Sequence, residues 1–137
     1  MNELFQAIFN KYNNSTGHGA YTNLGGRFYL NKAPQEATFP YCVYFEVVEV
    51  SEVDFTDERN DFTVQFNVFS QNNSSTEAGN ILSNFKSLFD DCSLTVTNWS
   101  HVYMQRRNVY PNNDFEQVPP IQGYSIEYDI LIEKTRS

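Results

Sequence analysis

The sequence predicts an α+β fold: a mainly antiparallel β-sheet with two amphipathic helices packed on one face and a long β-hairpin arm. Aromatic residues make up 16% of the 137 residues, with twelve Phe and nine Tyr, and such side chains favour pleated, half-buried surfaces. The segments Leu4–Tyr12 and Ala78–Phe89 repeat their apolar residues at helical spacing, whereas Tyr41–Val50, Phe62–Phe69 and Tyr124–Ile132 favour a period of two. No linker, repeat or compositional shift divides the chain, so residues 1–137 are expected to share one core as a single domain.

Leu4, Phe5, Ile8, Phe9 and Tyr12 fall on one face of the first helix, with Asn10 and Lys11 opposite. The run Asn13-Asn14-Ser15-Thr16-Gly17-His18-Gly19 ends it as a polar loop, in which His18 reads as a solvated side chain because no second His or Cys stands near it. Gly25-Gly26 supplies a turn, Arg27–Leu30 a short extended run, and Pro34 and Pro40 punctuate the path to the next strand. A residue before proline is pushed out of the helical region, so Phe39 enters that strand extended. Strict alternation puts Tyr41, Val43, Phe45 and Val47 on one face and Cys42, Tyr44, Glu46 and Val48 on the other. Phe62, Val64, Phe66 and Val68 alternate with Thr63, Gln65 and Asn67, the pattern of a sheet with one wet face. These two strands are expected to pair antiparallel.

Between them, Glu49, Glu52, Asp54, Asp57, Glu58 and Asp61 stand against the single base Arg59. Val50, Val53 and Phe55 are interleaved with the acids, as expected of an extended hairpin arm projecting beyond the sheet. Charges so placed also keep a strand edge from aggregating. Ser74-Ser75-Thr76-Glu77 has the spacing of a capping box, and Ala78, Ile81, Leu82, Phe85, Leu88 and Phe89 then form a stripe that can cover a sheet face. Asp90-Asp91 opposes the helix dipole and marks the stop. Leu94–Thr97 is expected as a short strand and Trp99–Tyr110 as a longer one carrying the adjacent bases Arg106 and Arg107. Residues 111–123, with Pro119-Pro120, form a long, stiffened polar loop. Tyr124, Ile126, Tyr128, Ile130 and Ile132 alternate with Ser125, Glu127, Asp129 and Glu133, which places this strand centrally. Lys134-Thr135-Arg136-Ser137 reads as a tail that a partner would order.

A formal net charge of −8 repels a phosphate backbone and disfavours stable nucleic-acid binding. No apolar run approaches membrane-spanning length, so no membrane partner is expected. The two cysteines, Cys42 and Cys92, are expected as reduced thiols, because no secretory apolar region opens the sequence. Glycosylation-like triplets at Asn13, Asn14, Asn72, Asn73 and Asn98 are chance matches in an Asn-rich chain. The acids lack calcium-loop spacing, so no metal or cofactor is expected. His101, beside Trp99 and Tyr103, accompanies no motif-borne nucleophile, and no catalytic residue is expected.

Gly25-Gly26, Arg27-Phe28-Tyr29, Ala33-Pro34-Gln35 and Phe39-Pro40-Tyr41 followed by Val43-Tyr44, in that order after a short helix, resemble the signature of the phage tail-completion proteins. These are the tail-terminator, or tail-to-head joining, components of long-tailed phages. The resemblance covers the chain in element order, with its best residues between Gly25 and Tyr44. It implies a structural virion protein and not an enzyme: a homo-oligomeric, hexameric ring at the top of the tail, assembled in the host cytoplasm. Such a ring would cap the tube of major tail tube protein, end its polymerisation and offer a surface to the head-completion or connector protein, with DNA in the lumen only in transit. The acidic arm and the Pro119-Pro120 loop depart from the plain family pattern. Glu49, Glu52, Asp54, Asp57, Glu58 and Arg59 are the arm residues expected at subunit or partner contacts, with Arg106 and Arg107 as candidate partners. Two alternatives stand beside this reading. One is a head-completion or adaptor protein on the capsid side of the joint; the other is a small enzyme with a pocket between sheet and helices lined by Tyr44, His101, Tyr103 and Tyr128.

Overall fold

The chain runs through helix α1 (Asn2–Asn13), helix α2 (Gly19–Leu24), strands β1 (Phe28–Leu30), β2 (Tyr41–Val53) and β3 (Asp57–Gln71), helix α3 (Thr76–Phe89), and strands β4 (Ser100–Pro111) and β5 (Ile121–Thr135). This is a computed structural model that describes residues 1–72 and 74–135. The five strands form one sheet in the order β1-β2-β3-β5-β4. Every neighbouring pair is antiparallel except β1 with β2, which is parallel. The fold is therefore α+β with a mainly antiparallel sheet, as expected, and β5 lies inside it.

Period-two patterning decides the core. Phe62, Val64, Phe66 and Val68 of β3 and Ile126, Tyr128, Ile130 and Ile132 of β5 are fully buried, and they meet Ile81, Phe85 and Phe89 of α3 and Leu4, Ile8 and Tyr12 of α1. Phe66 lies at the centre: its ring stacks on Phe89 at 4.9 Å and on Tyr44 at 5.8 Å, and it meets Phe85 and Tyr128 edge-on at 5.9 and 5.8 Å. Each such ring removes enough apolar surface from water to stabilise the fold by roughly 1.5–3 kcal/mol. At Gly123 of β5 even a methyl group is excluded, since a Cβ there would stand 2.0 Å from the Val68 carbonyl oxygen.

Several expectations need correction. A third helix, α2, follows the polar loop: His18 is its N-cap, with Nδ1 accepting from the Ala20 N–H at 3.0 Å, and Gly25 closes it in the left-handed conformation at φ 59°. His18 is thus a capping residue, and its Nε2 also lies 3.3 Å from Ser87 Oγ. The capping box does not close. Ser74 Oγ accepts from the Thr76 N–H at 3.1 Å, but Glu77 turns to Ser70, whose hydroxyl donates to Oε1 at 2.5 Å. Leu94–Thr97 is no strand: Leu94 and Val96 are buried from an irregular loop, and the Leu94 N–H donates to His101 Nδ1 at 3.2 Å. In β2 the register slips between Glu46 and Val48, and this bulge brings Val48 opposite Thr63 on the face of Tyr41, Val43 and Phe45. Lys134 and Thr135 are no tail, because β3 offers them a ladder at Glu58 and Asp57. Arg136, Ser137 and the triplet at Asn73 lie outside the described residues.

Candidate assembly surface

From Glu46 on, β2 is exposed, although Phe62 opposite Glu49 is still buried, and the arm begins. The hairpin pairs Glu49 with Phe62, Val50 with Asp61, Ser51 with Asn60, Glu52 with Arg59 and Val53 with Glu58. It is three strands wide, because β5 continues beside it to Thr135. Its turn is built by Asp54, whose Oδ1 accepts from the N–H groups of Thr56 at 2.8 Å and Asp57 at 2.6 Å. That turn holds Phe55 fully exposed, and Val50 and Val53 beside it are more than half exposed.

The charges of the arm are partly matched within the chain. Glu58 pairs with Lys134 at 3.3 Å, and Arg59, opposite Glu52, pairs with Glu133 at 3.6 Å. Arg106 and Arg107 lie on β4, and of the arm acids Arg107 acts on Asp61 at the arm's base. Arg106 meets Asp90 at 3.3 Å, where Asp90 also accepts from the Tyr128 hydroxyl at 2.6 Å, and Arg107 meets Asp129 at 3.6 Å. Exposed pairs of this kind contribute at most about 1 kcal/mol each, so neither arginine is committed to its intrachain partner by energy alone.

The face of the sheet away from the helices is tied by its own polar side chains. Thr63 Oγ1 donates to Asp129 at 2.9 Å, Ser125 Oγ and Gln65 Nε2 both donate to Asn67 Oδ1 at 2.7 Å, and Tyr110 OH donates to Gln65 Oε1 at 3.1 Å across the width of β5. At the base of the arm the row Val50, Asp61, Leu131 and Tyr103, with Glu52 and Arg59 above it, lines a shallow hollow of about 230 Å³. Burial and the nearby Asp129 and Glu52 raise the Asp61 carboxyl above its usual range, against the opposing pull of Arg107. Period-two reading marked Thr63, Gln65 and Asn67 as wet, but Thr63 is buried and the other two are half-buried, because they bond across strands in a register that no local pattern carries.

The pocket imagined for an enzyme does not form. Tyr44 and Tyr128 are packed in the core, Tyr103 pairs with Leu131 on the opposite face, and His101 spends Nδ1 on the Leu94 N–H. Burial lowers the His101 pKa and raises that of Tyr44 to about 12. Cys42 is buried with its thiol pushed well up, and both it and Cys92 are free thiols. Among the described residues no three His, Cys, Asp or Glu side chains are grouped to hold a metal ion, and no helix is long and apolar enough to cross a membrane.

No protein-family model and no curated protein matches this sequence. Among solved structures, the chain is similar to a chain from the virion of a native gene transfer agent (GTA) particle, with a TM-score of 0.77 at 10% sequence identity over 93% of this chain and 92% of that one. At that identity the likeness is one of fold.

Proposed function

We infer that this chain is a structural virion subunit of a phage-like particle that forms a ring on the end of the tail tube, stops tube growth and offers its upper face for head joining. The observation that carries the reading is the near full-length likeness to a virion chain, in which both proteins are matched over more than nine-tenths of their length. The signature from Gly25 to Tyr44 points the same way from the sequence side. The surface also fits a role by contact. It carries a built arm with an exposed aromatic tip and, between β4 and β5, a loop with exposed Phe115 and Val118, and these stand at opposite ends of β3 and β5. With 15 residues, β3 sets the two ends roughly 45 Å apart. A subunit with different contacts at its two ends can dock on a tube with one and present a non-matching face with the other, which is how a polymer is ended.

In this reading the ring is a hexamer at the head–tail joint, its neighbours are the tube protein and the connector, and DNA meets it only in transit. The test is to delete the gene from a particle-producing strain and image the products. Tails of uncontrolled length beside full, tail-free heads are expected. Tails of normal length that simply fail to join heads would move the protein to the capsid side of the joint, and normal particles would end the reading.

A further inference from the structure

We propose that the arm tip of one copy docks in an apolar groove between α1 and β1 of the next, with Phe55 as the inserted side chain. The groove is two adjoining hollows that share Phe9, Leu30 and Tyr44; the larger, of about 480 Å³, continues to Lys32 and Pro34, and the other reaches Phe5. Phe9 and Leu30 on its walls are 37% and 40% exposed, so the cleft is open and apolar. It lies where β1 ends and β2 runs on without a strand on that side among the described residues.

Three observations select the occupant. Phe55 is 100% exposed on a turn whose backbone is fixed by Asp54, so docking has to order its side chain but not the segment that carries it. The tip is acidic, with Asp54 and Asp57 flanking Phe55, whereas Lys32 is the charged residue lining the groove and no carboxylate lines either hollow among the described residues. The chain cannot fill its own groove. Tyr44 in the groove and Val53 at the tip are nine residues apart on one continuous strand, roughly 30 Å. The occupant is therefore the tip of a second copy.

Tip and groove are different patches, so the contact is head-to-tail and each copy can both give and receive. Repetition around a closing rotation makes a ring, and in this respect the inference deepens the function proposed above; the contact itself does not depend on closure.

The test uses the full chain in a Cys92→Ser background, with Phe55→Cys and Leu30→Cys introduced singly and together. Mild oxidation of the double variant is expected to give a covalent ladder beyond dimer, while each single variant stops at dimer. Phe55→Ser should weaken self-association about tenfold or more in sedimentation, and a mixture of Phe55→Ser with Leu30→Asp should yield a one-to-one dimer, because one partner keeps a groove and the other a tip. A double variant that forms no more than the singles do, at the highest soluble concentration, overturns the contact. A ladder that never closes into one dominant species would sink the ring and leave the contact standing. A closed ring indifferent to both positions would do the reverse.

Discussion

The two halves of β3 have the same backbone and opposite surroundings. From Phe62 to Val68 its inward side chains are sealed under α3 and α1; from Asp57 to Arg59 the same strand, still paired on both sides, carries largely exposed charge. In the covered half, burial of aromatic surface holds the sheet. In the arm, ladder hydrogen bonds and a well-made turn do so, with exposed Val50, Val53 and Phe55 adding little to the isolated subunit. An apolar side chain displayed by a stiff element without a fold-holding duty is available for contact with another molecule.

The largest effect that would test this contrast is a paired truncation. Phe66→Ala in the covered half should lower unfolding free energy by about 3–5 kcal/mol in a urea titration, whereas Phe55→Ala at the tip should leave it within about 0.5 kcal/mol. Equal losses would erase the distinction. A smaller effect sharpens the boundary of the covered half: Tyr128→Phe removes the 2.6 Å bond to Asp90, a charged acceptor still reached by Arg106 and by water, and should lose about 1–2 kcal/mol. The smallest concerns Asp61 at the base of the arm. Its pKa is raised on folding, so the stability its protonated form contributes is present in acid, below the unfolded value, and is lost as pH rises through the folded value. Asp61→Asn should therefore raise the melting temperature slightly at neutral pH, of order 1 °C, with the gain vanishing in acid. A gain that grew in acid would contradict the raised value.

What was legible in the sequence follows the same division. β3, β5 and α3 could be read because their partners lie on one side and leave a strict period, as Phe62 to Val68 and Ile81 to Phe89 do. α2 was hidden because its signal sits in its caps, His18 and Gly25, and its six residues span too little to show a period. The bulge near Val47 was hidden because β2 there is apolar on both sides, and only the partner strand reveals the slip. For the assembly surface, the acids of the arm were legible and its tip was not. Phe55 reads as one more aromatic until the turn shows it wholly outside, and the groove joins Phe9 to Leu30 and Lys32 through a parallel pairing that no local pattern announces.

β3 is bonded to β2 and β5 along nearly all of its length, so drawing it lengthwise out from between those neighbours loads both ladders in shear. Rungs loaded in that way give way together and not one after another, unlike the unzipping of a hairpin from its open end. Withdrawal of β3 in that way should therefore meet a high rupture force, and the sheet should stretch little before it breaks.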